Sequence, residues 1–262
     1  MPDKDVLYWE CAPFYEALYR EKVFAGNGSA EECDVIEKIL LKHGGAVSSI
    51  IDMGCGTGVH AIELANRGYE VLAGDYAQGM LDIAKSRPRN KETNISFLKV
   101  NMREYVPEKS FDALICMTNA FLCNYTDKHV DAALKCFAAS LRSGGVLLIE
   151  ATSYGAMIAN GIFPFTYVNR ATVDGREVVE ISVNEPDAEN RVLREQNTYF
   201  VAKGDGSFER HDSENCLRMI SVPRLKQRLT RAGFSVLELI DAETLKTATT
   251  ETSEYFIVCR RA

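Results

Sequence analysis

Three glycines within five residues, Gly54, Gly56 and Gly58, follow an acidic residue, Asp52. Where such a loop joins a strand to a helix, backbone N–H groups and a positive helix N-terminus face whatever lies over the strand ends. The dinucleotide fingerprint requires G-x-G-x-x-G, but here the third glycine falls two residues after the second, a poor match to a pyrophosphate-binding turn. Asp52 would repel a pyrophosphate, and it suits a ligand bearing an ammonium and a sulfonium. Asp75, seventeen residues beyond Gly58, can accept two ribose hydroxyls in a bidentate grip. Asn101 and Met102 offer an amide to an exocyclic amine and a thioether to an adenine face.

These residues need elements to hold them. Residues 47–53 (VSSIIDM) run apolar into the glycine loop, and residues 59–66 carry apolar side chains at 59, 61, 62 and 65, which is helical spacing. Arg67-Gly68 stops that helix. A second strand over 69–74 ends at Asp75, and a helix over 78–86 breaks at Pro88. Residues 95–100 and 111–117 read as the third and fourth strands. A helix over 128–142, a turn at Ser143-Gly144-Gly145 and a fifth strand over 146–150 follow. Strands alternating with helices predict a parallel sheet covered on both faces.

From 152 to 221 the pattern changes to alternating stretches at 176–183, 192–201 and 208–220, separated by turn clusters at 184–190 and 204–207. These read as antiparallel strands, and a segment this long is implausible as one structureless loop. A helix over 223–232, preceded by Ser221 and ended by Gly233, then leads to strands over 234–240 and 253–260. Residues 6–22, rich in aromatics (Tyr8, Trp9, Phe14, Tyr15, Tyr19), and a helix over 30–43 precede the sheet. The expected fold is α/β, a Rossmann-like doubly wound, mostly parallel seven-stranded sheet with an inserted antiparallel β subdomain before the last helix. Its divisions are an N-terminal lid segment (1–45), a ligand-binding domain (46–151 and 222–262) and the insertion (152–221).

Composition narrows the partners. With 37 acidic against 30 basic side chains and a net charge of −7, no positive field holds a phosphate backbone, so nucleic acid is not expected. The eight cysteines are scattered, without a Cys-x-x-Cys pair, and several lie in apolar runs, the pattern of free thiols in a reducing, cytoplasmic setting. Met1-Pro2-Asp3-Lys4 does not open a basic and apolar leader. No apolar run nears the roughly 20 residues that span a bilayer, so no membrane contact is expected. The histidines, at 43, 60, 129 and 211, show no H-E-x-x-H or similar spacing, so no metal is expected.

The motif set from about Ile50 to Glu150 resembles the class I S-adenosylmethionine-dependent methyltransferases, whose loop reads E/D-x-G-x-G-x-G and whose second strand closes on an acidic residue. The resemblance implies S-adenosyl-L-methionine as cofactor. Asp52 would hold its amino end, directly or through water, and Asp75 its ribose. Gly54, Cys55, Gly56 and Gly58 would line it, with Tyr76, Met80, Asn101, Met102, Arg103 and Met117 completing the site. Asn101 departs from the family, which commonly has Asp there, and it brings no charge. Methyl transfer from a sulfonium is an in-line displacement that positioning and desolvation can accelerate without metal or covalent nucleophile. The acceptor belongs near the end of strand four, with Asn119 as a positioning residue and Phe121 and Cys123 in the substrate pocket. The Asn/Asp-Pro-Pro-Tyr/Phe signature of many DNA and protein amide methyltransferases is absent, which favours a small-molecule acceptor.

A narrower resemblance, in residues 14–19 (FYEALY), residues 101–105 (NMREY) and the β-rich insertion, is to small-molecule N-methyltransferases. These include nucleotide-linked amino-sugar N,N-dimethyltransferases and, more loosely, glycine and sarcosine methyltransferases. It implies that Tyr15 and Tyr19 act from a closing N-terminal lid, although their four-residue spacing equally suits a staple to the core. His60 reads as a packing residue, Cys55 as a packed thiol without a neighbouring base, and His129 as solvent-facing. Arg103 reads as either a cofactor contact or a solvated charge. Inward carboxylates on the insertion would favour an amine acceptor, and an inward Arg170, Arg176 or Arg218 a carboxylate or phosphate. The insertion's edges make a homodimer an expectation. Three alternatives stay open: cyclisation of the cofactor with release of methylthioadenosine, a non-catalytic cofactor-binding protein, and, more remotely, a dehydrogenase.

Overall fold

The computed structural model describes Tyr8 and residues 11–23, 29–90 and 92–262. Trp9 and the opening Met1-Pro2-Asp3-Lys4 lie outside these. Helices α1 (Tyr15–Val23) and α2 (Ser29–Gly44) precede β1 (Ser49–Met53), α3 (Val59–Asn66), β2 (Glu70–Asp75), α4 (Gln78–Ser86), β3 (Ile95–Lys99), β4 (Phe111–Cys116), α5 (Asp127–Ser140) and β5 (Leu141–Thr152). Then come α6 (Tyr154–Ala159), β6 (Phe165–Val173), β7 (Arg176–Asp187), β8 (Val192–Ala202), β9 (Phe208–Arg218), α7 (Val222–Arg231), β10 (Phe234–Asp241) and β11 (Glu254–Arg261).

Seven strands form one sheet in the order β10-β11-β5-β4-β1-β2-β3. Its members from β3 to β5 are parallel, and β11 runs antiparallel between β5 and β10. The central strands are almost wholly apolar because both of their faces are covered. On one face Phe137 of α5 and Leu225 and Leu229 of α7 pack over Phe111 and Leu147. On the other, Ile36 and Leu40 of α2 and Leu64 of α3 pack over Ile50 and Ala113. Helix α2 thus belongs to the main sheet, and within the expected lid segment it is α1 that does not. Phe14 and Leu18 bury themselves against Val178, Tyr199 and Val201 of the insertion.

The insertion is a four-stranded antiparallel meander, β6-β7-β8-β9. Its first strand and α6 were not anticipated. Helix α5 ends at Ser140, two residues earlier than expected, because Leu141 turns extended and pairs with Phe111. Register and strand alternation fix what each face of the meander carries. Phe165, Asn184, Glu195 and Asn215 form one cross-strand row; Tyr167, Ser182, Asn197 and Ser213 the next; Asn169, Glu180, Tyr199 and His211 the third. Ser182, Asn184, Asn197, Glu180 and Tyr199 of this face are buried, while Val168 and Ile181 of the opposite face are exposed. The inner face is therefore mixed, with a buried polar row beside Val178 and Val201, while the outer face carries Arg210, Asp212 and Glu214 together with Val168 and Ile181.

Candidate active site

The glycine loop follows β1 and is pinned by the backbone of β2, since Gly54 N–H and Cys55 N–H both donate to the Gly74 carbonyl, at 2.7 and 3.1 Å. All three of its glycines adopt left-handed φ values, 82°, 54° and 78°, where other residues are strained. A Cβ at Gly54 would lie 2.5 Å from that of Ala120, and one at Gly58 2.9 Å from that of Ala84, so these two allow close packing. A Cβ at Gly56 would meet nothing within 4 Å, and Gly56 lines a cavity. This is a cradle that a side chain would fill. Asp75 braces it: one carboxylate oxygen accepts Gly56 N–H and the other Ala77 N–H, both at 2.8 Å. The Tyr76 N–H also acts on this carboxylate, which lines the cavity. Burial raises its pKa, and the N–H donors work against that rise.

Asp52 lies behind the loop, 1% exposed, and does not line the cavity. It accepts from Ala61 N–H, and its Oδ2 has no hydrogen-bond partner. Burial pushes its pKa up to about 6, with His60 opposing. His60 is also buried, its Nε2 2.6 Å from Glu32. Burial alone would lower its pKa, but the Glu32 hydrogen bond and the charges of Asp52 and Glu32 raise it.

The cavity, of about 810 Å³, opens where the strand ends of the main sheet face the inner side of the meander. It brings together Tyr15, Tyr19, Gly54, Cys55, Gly56, Asp75, Tyr76, Met80, Asn101, Met102, Arg103, Met117, Asn119 and Cys123 from the sequence reading. Gly58, like Asp52, is not in its wall. Phe121 is a correction: it is fully buried, its ring centroid 6.1 Å from that of Phe137, in the core beneath the wall. A 3-10 turn over Ala120–Cys123 makes the choice, because three residues per turn send Phe121 inward and leave Ala120 and Cys123 at the cavity.

Several wall residues are already engaged. The Asn101 Oδ1 accepts from Arg103 N–H and Nε, at 3.1 and 3.0 Å, while its Nδ2 donates to Glu104. Both ends of the amide thus serve their own turn, and one Nδ2 N–H is left to donate toward the cavity that Asn101 lines. Arg103 also reaches Nδ1 of His129, at 3.2 Å, and the His129 ring stands edge-on to Tyr125. His129 is therefore half-buried, engaged on one side by Tyr125 and Arg103. Thr118 and Asn119 hold left-handed φ values of 51° and 60°, an uncommon state for non-glycine residues that clusters at functional sites. Glu150 accepts Thr118 N–H at 2.7 Å. Asn119 closes a pair with Thr152, accepting its N–H at 2.8 Å and donating to its hydroxyl at 2.9 Å.

Over the far wall, Tyr8, Tyr15 and Tyr19 form a ladder of tilted rings with centroids 6.1 and 5.1 Å apart. Burial raises the pKa of both Tyr15 and Tyr19, and Asp75 adds to it at Tyr15. Tyr19 donates to Glu180, which is fully buried and also accepts from Tyr199 at 3.1 Å and Asn169 at 2.7 Å. Sequence reasoning missed the meander's share of the wall: Tyr167, Glu195, Asn197, Ser213 and Asn215. Their strand alternation was legible, but not which face turns inward. Asp212 and Glu214 also border the cavity, yet their carboxylates lie on the opposite face, paired with Arg210 and Arg194. Arg170 is on that outer face, Arg176 stacks over Phe14, and Arg218 is buried against Asp127. Among the described residues, no group of three or more His, Cys, Asp or Glu is arranged to hold a metal ion.

Residues 50–145 match the family model described as a methyltransferase domain. The chain is 30% identical to the "Putative methyltransferase" of Geobacillus sp. (strain WCH70), over 97% of this chain and 99% of that one. It is 26% identical to the dTDP-3-amino-3,6-dideoxy-alpha-D-glucopyranose N,N-dimethyltransferase of Streptomyces fradiae, over 87% and 84% of the two chains. Among solved structures, an S-adenosylmethionine-dependent methyltransferase from Clostridium acetobutylicum superposes with a TM-score of 0.79 at 17% identity, covering 96% of this chain and 99% of the other.

Proposed function

The chain belongs to the class I S-adenosylmethionine-dependent methyltransferases, and from that premise we propose that it methylates an amine nitrogen of a small, polar acceptor held between its two sheets. The observation that carries this reading is the composition of the wall. The acceptor side presents the carboxylate of Glu195, while Arg170, Arg176 and Arg218 all point elsewhere.

When bound, S-adenosyl-L-methionine supplies an electrophilic methyl group on a sulfonium sulfur. The residues fit such a group: Gly56 leaves an open cradle, the Asp75 carboxylate faces the cavity where it can accept ribose hydroxyls, and the orphaned Asp52 Oδ2 suits an ammonium reached through one water. Gly54, Cys55, Tyr76, Met80, Met102 and Met117 wall the cofactor. Gly58 packs the helix behind it, and Asn101 and Arg103 brace the turn at its adenine end. Tyr15 and Tyr19 close over the reacting centre and exclude water, and Asn119 and Cys123 shape the floor beneath it. The chain's main task is to align the acceptor nitrogen with the bond that breaks, since pre-paid orientation can supply about 7–11 kcal/mol of a barrier. An amine must be neutral to attack, and Glu195 can hold the ammonium and pass its proton to water. No step here calls on a metal.

Residues 46–151 and 222–262 make up the cofactor domain in this proposal, and 152–221 the acceptor domain. The eight free cysteines, six of them buried, support a reducing, cytoplasmic location. No helix among the described residues is long and apolar enough to cross a membrane. The unpaired edges of β6 and β9 support a homodimer, which light scattering on the purified chain would detect.

Isothermal titration with S-adenosylhomocysteine, followed by mass spectrometry of reactions containing the cofactor and a panel of amines, tests the whole reading. A methylated amine together with S-adenosylhomocysteine is expected. Failure to bind at millimolar concentration, or formation of methylthioadenosine in place of a methylated amine, would refute it.

A further inference from the structure

Resting on the amine reading above, we infer that the inner face of the meander recognises a hydroxylated amine that carries no phosphate. That face buries a row of polar side chains, Ser182, Asn184, Asn197 and Glu180, beside Val178 and Val201. Burying polar groups costs free energy unless they find partners. Most do: Glu180 has three donors, and Asn184 donates to Ser182. Two do not. Asn197, 5% exposed, has no partner for Oδ1, and the buried Oγ of Ser213 has none either.

Both residues line the cavity, and they are direct cross-strand neighbours. Such neighbours have Cβ atoms about 4.5–5.5 Å apart, a spacing that two adjacent hydroxyls of one small molecule can bridge. Asn197 Oδ1 accepts only, so its partner must donate; Ser213 Oγ can do either. Glu195 lies two residues away along β8 on the same face, about 6.5 Å by strand rise. One of its oxygens accepts from Asn215 at 3.1 Å. The wall thus reads as hydroxyl, hydroxyl, ammonium.

Charge excludes a phosphate. The cations among the described residues of the wall are Arg103, which sits on the cofactor side beside Asn101 and His129, and His60, held by Glu32; the meander's share of the wall adds none. The acceptor side offers a diphosphate only the repulsion of Glu195. A cavity of about 810 Å³ also sits within the roughly 300–1,000 Å³ typical of one ligand site, and here it must hold cofactor and acceptor together. The Streptomyces fradiae relative is named for a dTDP-linked sugar; this wall favours the free amino sugar or an amino polyol.

The test measures kcat/KM, and binding by calorimetry to protein loaded with S-adenosylhomocysteine, for a panel: free 2-, 3- and 4-amino sugars, an amino polyol, cyclohexylamine, and nucleoside-diphosphate amino sugars. A site built for hydroxyls rejects analogues lacking them strongly, so the best hydroxylated amine should exceed cyclohexylamine at least a hundredfold. Asn197→Ala and Ser213→Ala should each erase at least tenfold of that preference, read as the ratio of kcat/KM for the hydroxylated amine to that for cyclohexylamine. A preferred nucleotide-linked substrate, or variants that keep the full preference, would overturn the inference and leave the amine reading standing. If cofactor binds and no amine in the panel is methylated, both fall.

Discussion

Asp75 gives the most direct measure of how the cofactor is held. Its two oxygens each accept one backbone N–H, from Gly56 and Ala77, at 2.8 Å. Where it faces the cavity, the carboxylate is the proposed seat of the ribose hydroxyls. Hydrogen bonds to a charged acceptor contribute about 1.5–3 kcal/mol each, so losing two costs at least about 3 kcal/mol. At about 1.4 kcal/mol per tenfold, Asp75→Ala should weaken S-adenosylhomocysteine binding by roughly 150-fold or more. The same substitution also frees Gly56 N–H and Ala77 N–H and so loosens the glycine loop, which alone could weaken binding. A cycle separates the two effects. Calorimetry with the 2′,3′-dideoxy analogue should show a large penalty for wild type and almost none for Asp75→Ala, because the hydroxyls then have nothing to lose. A dideoxy penalty of equal size in both proteins would refute the ribose assignment, even if the variant bound weakly.

Three further outcomes follow from the geometry. Asp52, pushed up to about 6 by burial, holds a proton in the folded state that the unfolded chain releases between about pH 4 and 6. Ionising it therefore costs stability as pH rises through 6, and that contribution returns as pH falls toward 4. Affinity for the cofactor's ammonium should run the other way, falling by up to about tenfold per pH unit below 6; titrations across pH 5–8 on wild type and Asp52→Asn would show a slope in the first and none in the second, and equal slopes would remove Asp52 from cofactor binding. The Tyr19–Glu180 bond joins α1 to the insertion, so in urea denaturation Tyr19→Phe and Glu180→Gln should show a coupling above about 0.5 kcal/mol, with simple additivity counting against the junction. Asp127 is shared by Arg191, Arg218, Arg224 and Arg228, two of which are at least nine-tenths buried; Asp127→Ala leaves the buried Arg218 without a carboxylate, while Arg228 keeps Asp131, and should cost about 3 kcal/mol, a fall in Tm of roughly 6–12 °C, whereas a shift under 2 °C would mean that solvent replaces it.

What the sequence revealed was whatever is local. The glycine spacing, Asp75 at the end of a six-residue strand and the alternation of periods along 47–150 are each written within a window of a dozen residues, and the seven-stranded sheet followed from them. The insertion was legible as strands but not as a wall. Alternation shows that Asn197 and Thr198 face opposite ways; it does not show which way is in, and polar patterning ordinarily points the polar set at solvent. Here the set containing Glu195, Asn197 and Ser213 faces inward, which only the register across β6 to β9 and the packing of α1 reveal. Phe121 failed for a related reason, since a four-residue 3-10 turn has too little sequence to display its period. Asn101 lies in the wall as expected, and its local bonds to Arg103 and Glu104, which the sequence did not show, leave one Nδ2 N–H toward the cavity.

Helix α1 connects these parts mechanically. Near its start Glu16 binds Arg87, whose Nε donates to the Thr57 carbonyl in the glycine loop at 2.9 Å. One turn later Tyr19 binds Glu180 in the meander. Both anchors are far from solvent compared with an ordinary surface pair: Arg87 and Glu16 side chains are 28% and 30% exposed, and Glu180 is fully buried. Each anchor grips a different wall of the same cavity, so α1 cannot swing aside without releasing either the cofactor loop or the acceptor wall. The Glu16–Arg87 pair keeps nearly a third of its side-chain surface in water, so it is worth little more than the ~1 kcal/mol of a surface ion pair. Freeing Tyr19 instead strands a buried carboxylate short of a donor, at about 1–3 kcal/mol. Of the two anchors the one on the glycine loop is therefore the weaker, and hydrogen exchange is expected to show Glu16→Ala loosening that loop more than the meander, with equal exchange in both counting against this order.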